Sequence, residues 1–413
     1  MAVLINNYDN TTADVYPKSE IIRLMFECTN EIVEISMNMG FKGNLYHNVL
    51  TYVMVNSENA FSVASEICGK IKGSITEIAL HDFAIFKELY DFDITKIDAQ
   101  YGVKCLSFLV NYEAEGDTKK YFNHRIRNRI NELSLRLATA KDVHEFEDMM
   151  AEFYGEFGVG KLGLHKAFRV GHETDGTPYV KPITNTEYIS LDDLVGYEIQ
   201  KKQLIDNTEA FVMGKKANNV LLYGDAGTGK SSSIKAILNE YYDKGLRMIE
   251  VFKHEFKDLS SIIAQIKNRN YKFIIYMDDL SFEDFEIEYK YLKAIIEGGL
   301  ERKPDNVLIY ATSNRRHLIR ESYSDKDDRS EDMHTSDTVQ EKLSLASRFG
   351  VSICYVAPNK KEYNNIIKVL ASRYNIQMSE EQLYLEANKW ELSHGGLSGR
   401  TAQQFINYLV GKE

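Results

Sequence analysis

The sequence predicts an α/β protein whose core is a parallel sheet with helices on both faces, preceded by a mainly α-helical N-terminal domain. Three observations predict it. Residues 224–231 read Gly224-Asp225-Ala226-Gly227-Thr228-Gly229-Lys230-Ser231, which fits G-x-x-x-x-G-K-[ST] between a strand-like run and a helix-like run. Beyond this loop, short apolar β-type runs alternate with segments of helical spacing, as strands joined by crossover helices do. Ahead of residue 185, apolar residues recur mainly at helical spacing.

In the N-terminal part, Ile21, Leu24, Met25, Cys28, Ile32 and Ile35 share one helical face, and the pattern resumes over 60–72 and 78–90. A further helix is expected over 119–140, where Ile126, Ile130, Leu133 and Leu137 form an apolar stripe. The character changes over 168–183. There Asp175-Gly176-Thr177-Pro178 separates two short runs of aromatic and β-branched residues, which reads as a hairpin or linker. The expected domains are therefore a helical 1–165, a hairpin or linker at 166–189, an α/β core at 190–357 and a helical lid at 358–413.

Within the core, Asn219, Val220, Leu221, Leu222 and Tyr223 form a buried strand, and Ile234, Ile237, Leu238 and Tyr241 follow at helical spacing. Further strands are expected at 247–251, 273–277, 307–312 and 351–355, with helices at 259–266 and 289–297. Ligand chemistry in such a sheet gathers at the carboxyl ends of the strands.

The loop's glycines let backbone N–H groups turn inward around phosphates, and the following helix adds its positive end. Gly224, Asp225, Ala226, Gly227, Thr228, Gly229, Lys230, Ser231 and Ser232 are therefore the expected nucleotide-binding residues. Lys230 would reach the β- and γ-phosphates, and the Ser231 hydroxyl would bind Mg²⁺. A second element, Phe273-Ile274-Ile275-Tyr276-Met277-Asp278-Asp279, is an apolar strand ending in two carboxylates. Alone it would be a strand and a solvated acidic turn. After a phosphate loop, Asp278 suits the Mg²⁺ shell and Asp279 suits orienting or deprotonating a water.

Composition narrows the class. With 413 residues the chain exceeds one typical core, and 44% hydrophobic with 27% charged residues is globular in balance. A net charge of -11 argues against nonspecific polyanion binding by the whole molecule. Arg125, Arg129 and Arg136 line one side of the 119–140 helix with Glu132 between them. This is the usual solvated face of an amphipathic helix, so nucleic acid is not an expected partner. Cys28, Cys68, Cys105 and Cys354 show no metal-ligand spacing, and the ten histidines form no H-E-x-x-H, so Mg²⁺ with the nucleotide is the one metal expected. No segment has the length and apolarity of a membrane span or signal peptide, which makes the cytoplasm the expected location. The Ser- and Asp-rich stretch 321–337 is expected to be an exposed loop.

Six blocks carry a resemblance: SLDDLVGYEIQKKQLIDNT, NNVLLYGDAGTGKSSSIKA, DDLSFED, LIYATSNRRHL, LASRFG and GGLSGRTAQQF. From 190 to 413 the chain resembles an AAA+ P-loop ATPase module and, more narrowly, the bacterial ATPases of the domain of unknown function 815 family. The resemblance implies further roles. Asn314 would be sensor 1, positioning water beside the γ-phosphate. Arg348 would be the arginine finger reaching a neighbouring subunit, with Arg315, Arg316 and Arg320 as rivals. Arg400 would be sensor 2 in the lid. Val195, Gly196 and Tyr197 would line the adenine pocket. It also implies a homo-oligomeric ring such as a hexamer. The usual Asp-Glu ending of the second motif is Asp278-Asp279 here, one methylene shorter, which implies slow turnover; Glu283 is a substitute candidate.

These features imply an ATPase converting ATP to ADP and phosphate to remodel or assemble a protein client engaged by the N-terminal domain. No N-K-x-D motif is present, which favours adenine over guanine. Two other readings stay open: a nucleotide-gated binding module with incidental hydrolysis, and a DNA-associated loader.

Overall fold

The structure, a computed structural model, describes residues 17–113, 124–282, 288–297, 304–314 and 345–412. Glu283, Arg315, Arg316, Arg320, the 321–337 stretch and the first residues of the expected 119–140 helix lie outside the described residues. The chain forms two compact units, Met1–His165 and Lys166–Glu413.

The described residues of the first unit form eight α-helices: α1 (Lys18–Met39), α2 (Leu45–Asn56), α3 (Ala60–Cys68), α4 (Ser74–Asp91), α5 (Thr95–Tyr101), α6 (His124–Leu137), α7 (Val143–Phe157) and α8 (Gly160–Leu164). Short polar side chains start three of them by accepting from otherwise unpaired first-turn N–H groups. Asn44 caps α2, Asn59 and Ser62 form a reciprocal box on α3, and Asp142 caps α7. The stripe Ile126, Ile130, Leu133 and Leu137 is buried, and Phe61, Phe83, Tyr90, Phe146 and Tyr154 pack as a chain of aromatic rings. Buried Asp98 accepts from the backbone N–H groups of Cys105, Leu106 and Ser107. Burial pushes its carboxyl up, but those donors outweigh it and hold the group below the usual range.

The arginines on α6 differ from the solvated face expected of them. Arg129 lies 4.2 Å over the Phe157 ring, Arg136 pairs with Glu152, and Arg125 donates to the Leu164 carbonyl at 3.2 Å. They join α6 to α7 and α8.

The second unit is built on β1 (Ala167–His172), β2 (Pro178–Pro182), α9 (Glu198–Val212), β3 (Val220–Gly224), α10 (Lys230–Tyr241), β4 (Leu246–Glu250), α11 (Leu259–Ile266), β5 (Lys272–Met277), α12 (Glu288–Glu297), β6 (Val307–Ser313) and β7 (Val351–Tyr355). The strands form one sheet in the order β2-β1-β4-β5-β6-β3-β7, parallel throughout except for β2. Every residue of β6 is buried, as a strand covered on both faces requires. The hairpin is more than a lead-in: β1 pairs with β4, so 167–182 forms the sheet's edge. Its turn follows from Asp175, whose side chain accepts from the Thr177 N–H at 2.9 Å.

Three helices follow, α13 (Lys360–Arg373), α14 (Glu380–Ser393) and α15 (Gly399–Val410), packed around Tyr363, Ile367, Leu370, Ala387, Phe405 and Ile406. Asn359 and Glu362 cap α13 reciprocally, directly after Pro358. Since β3 lies between β6 and β7, while the chain leaving β3 passes to β4 beyond both β6 and β5, the winding reverses at β3. A crevice opens at its carboxyl end. This is a doubly wound α/β fold with a helical lid.

Candidate functional site

A cavity of about 680 Å³ occupies that crevice, within the usual range for a small-molecule site. Its floor is the turn from β3 into α10. Gly227 takes φ +75°, and a Cβ there would meet Ser398 Oγ at 3.0 Å and Arg400 Cβ at 3.1 Å, so the loop needs glycine for both conformation and space. The first turn of α10 has no side-chain cap, leaving its N–H groups directed at the cavity.

Lys230, 6% exposed, donates through Nζ to the carbonyls of Gly224 at 2.9 Å and Asp225 at 2.6 Å and to Asn314 Oδ1 at 3.1 Å. Burial lowers its pKa from the ordinary lysine value, and the charges of Asp225, Asp279 and Asp278 act against that shift. Ser231 Oγ donates to Asp278 Oδ1 at 2.7 Å, and Thr312 Oγ1 donates to the same oxygen at 2.5 Å. Burial raises the Asp278 carboxyl, but these hydroxyls outweigh it and the group sits below the usual carboxylate range. Asp279 adopts φ +49°, uncommon for a residue with a side chain. It is held there by its N–H donating to Thr312 Oγ1 at 2.9 Å and by Asn314 Nδ2 donating to its carboxylate at 2.8 Å. The carboxyl ends of β3, β5 and β6 thus meet in one hydrogen-bonded group running Lys230, Asn314, Asp279 and Ser231, Asp278, Thr312.

The opposite wall is apolar, with Ile189, Leu194 and Val195 facing Ile366 and Leu370 of α13. Tyr197 completes it, in a left-handed conformation at φ 60°, stacked on Tyr355 with centroids 5.1 Å apart. The helical lid touches the loop and the cavity's approach: the Arg400 N–H of α15 donates to the Gly227 carbonyl at 3.1 Å, and Arg373 Nη1 of α13 donates to the Asp193 carbonyl at 3.1 Å.

Most sequence-expected residues line this cavity: Ala226, Gly227, Thr228, Gly229, Lys230, Ser231, Ser232, Asp278, Asp279, Asn314, Val195 and Arg400. Gly224, Asp225 and Gly196 do not. Gly224 approaches β7 so closely that a Cβ would lie 2.1 Å from the Tyr355 carbonyl oxygen. The Asp225 carboxylate turns to the lid hinge, accepting from the Ala357 N–H at 2.7 Å. Arg348 precedes β7 at the amino end of the sheet's edge strand, away from the cavity. Sequence reasoning missed Thr312, although a hydroxyl two residues before Asn314 on the same strand face is a readable signal.

Over 66 residues, 16% of this chain, the sequence is 39% identical to the replication factor C large subunit of Staphylothermus marinus, and the match spans 15% of that relative. A mutant of Thermotoga maritima RuvB is similar in structure at a TM-score of 0.38 and 19% identity, covering 54% of this chain and 65% of that one. The FIGL-1 AAA domain in complex with ADP is similar at a TM-score of 0.38 and 15% identity, covering 55% of this chain and 74% of that one. The family match is broader, taking in residues 163–413 and with them the whole cavity, so the chain belongs to the family described as protein of unknown function (DUF815).

Proposed function

We propose that the Lys166–Glu413 unit binds ATP with Mg²⁺ and hydrolyses it to ADP and phosphate, using the cycle to remodel or assemble a macromolecular partner. One observation carries the reading. A lysine, a hydroxyl, two carboxylates and an amide from separate strand ends are joined by hydrogen bonds above a capless helix N-terminus. The donors suit the metal, since the Ser231 hydroxyl and the Asp278 carboxylate are hard oxygen ligands already 2.7 Å apart. When bound, Mg²⁺ would neutralise charge developing on the β- and γ-phosphates. Lys230 would exchange carbonyl partners for phosphate oxygens. Asp279, aimed by Asn314, would orient the attacking water, and its short side chain favours slow turnover.

Ile189, Val195, Ile366 and Leu370 offer an apolar slot for adenine, and Arg400 would reach the phosphates from the lid. The position of Arg348 at the sheet edge supports action on a neighbour's nucleotide in a ring of copies. Partner engagement falls to the helical unit, which supplies none of the cavity's lining. A second reading, a nucleotide-gated binding module, is favoured by Asp279 standing where a longer carboxylate is usual. Among the described residues no helix is long and apolar enough to cross a membrane.

Titration calorimetry with Mg²⁺-ATP tests the site. Wild-type protein is expected to bind. Lys230→Ala, which removes at least one charge-assisted contact to phosphate worth about 1.5–3 kcal/mol, is expected to weaken binding at least ~10-fold. Equal affinity in the variant would remove the assignment.

A further inference from the structure

At the carboxyl end of β5 the polar side chains are spent on one another, with one exception. Asp278 accepts from Ser231 and Thr312, and Asp279 from Asn314. The hydroxyl of Tyr276, in a residue only 2% exposed, has Ser231 and Asp278 as its polar neighbours yet makes no hydrogen bond of normal geometry to either. Side chains alternate along a strand, so Tyr276 and Asp278 lie on the same face. On that face Tyr276 packs with Ile234 and Ile237 of α10, the helix whose first turn carries Ser231. Its surroundings are therefore the core below and the Ser231–Asp278 pair above. A tyrosine hydroxyl carries a proton that it can donate.

Phenylalanine would fill the same space without burying an unpaired hydroxyl, which costs free energy unless a partner is supplied. The acceptor that would complete it lies beside Ser231 and Asp278, where the shell of a bound metal would stand. The geometry points to Tyr276 as a positioning residue for the metal, its hydroxyl donating to a water in the shell of the Mg²⁺ held by Ser231 and Asp278. This rests on the ATP-binding reading above. Outer partners of this kind fix the orientation of a metal's ligands and typically change affinity by about 10- to 100-fold when removed.

The test is Tyr276→Phe, which keeps the ring and its packing. ADP affinity is measured by titration calorimetry in EDTA and over a series of Mg²⁺ concentrations, alongside the melting temperature without nucleotide. ADP binding in EDTA and the melting temperature should match wild type, while the Mg²⁺ concentration giving half of the metal-dependent gain should rise ~10-fold or more. An unchanged Mg²⁺ requirement would overturn the inference. So would a loss of ADP affinity that is equal in EDTA, or a Mg²⁺ effect accompanied by a lowered melting temperature, since either makes the hydroxyl a packing element. Wild-type protein that binds no ADP under any condition is a separate result, which removes the ATP-binding reading itself.

Discussion

Asn314→Ala separates positioning from binding, because one amide touches both parts of the site. Its Oδ1 accepts from Lys230 at 3.1 Å, and its Nδ2 donates to Asp279 at 2.8 Å. Lys230 keeps two other acceptors, the carbonyls of Gly224 and Asp225, and stays in place after the change. Asp279 has no such reserve: its carboxylate loses the amide while its backbone is still held at φ +49° through Thr312. A hydrogen bond to a charged group contributes about 1.5–3 kcal/mol, and the exposure of Asn314 places this one toward the lower end, about 1.5–2 kcal/mol. If that energy aims the carboxylate at water, kcat falls roughly 10- to 30-fold. The dissociation constant for ATP should change less than about threefold. Steady-state phosphate release and equilibrium ATP binding measure the two quantities separately. An unchanged kcat, or a dissociation constant that rises in step with the loss of kcat, would refute the reasoning.

Two further outcomes follow from the same geometry. Because hydrogen bonds hold the Asp278 carboxyl below its unfolded value, its contribution to stability is complete above about pH 4 and is lost as pH falls through the folded value; Asp278→Asn should flatten the acid limb of melting temperature against pH. Arg348→Ala should leave ATP binding nearly intact and lower hydrolysis by roughly 10³-fold or more, and mixing it with Lys230→Ala should restore activity through mixed interfaces; full activity from a protein that stays monomeric with ATP would refute the trans role.

The phosphate loop was legible because strand, glycines and helix are contiguous, and the carboxylate pair because an apolar run ends abruptly at Asp278-Asp279. Tyr276 was not, since a hydroxyl inside an apolar strand reads as packing until the partner strand's register is known, and Thr312 carried only the weaker signal of its spacing from Asn314. The hairpin was recognisable from Asp175-Gly176, but its pairing with β4 is a contact across about eighty residues that local pattern does not encode. Helix α2 escaped notice for a different reason. In α2 the buried set includes Asn48 and Thr51 beside Val49 and Met54, so no clean polar and apolar division marks it. At Asp225 the motif reads as part of a phosphate-binding loop, and local pattern does not show that its carboxylate accepts from the Ala357 N–H.

Phosphate release from Mg²⁺-ATP by wild-type protein, Asp279→Asn and Asp279→Glu tests the central claim most directly, with ATP binding measured on the same samples. The account predicts slow turnover by wild type above background, retained ATP binding with no turnover in Asp279→Asn, and an equal or higher rate in Asp279→Glu. Wild-type protein that binds ATP yet releases no phosphate, alone or with its partner, or Asp279→Asn that turns over like wild type, would contradict it.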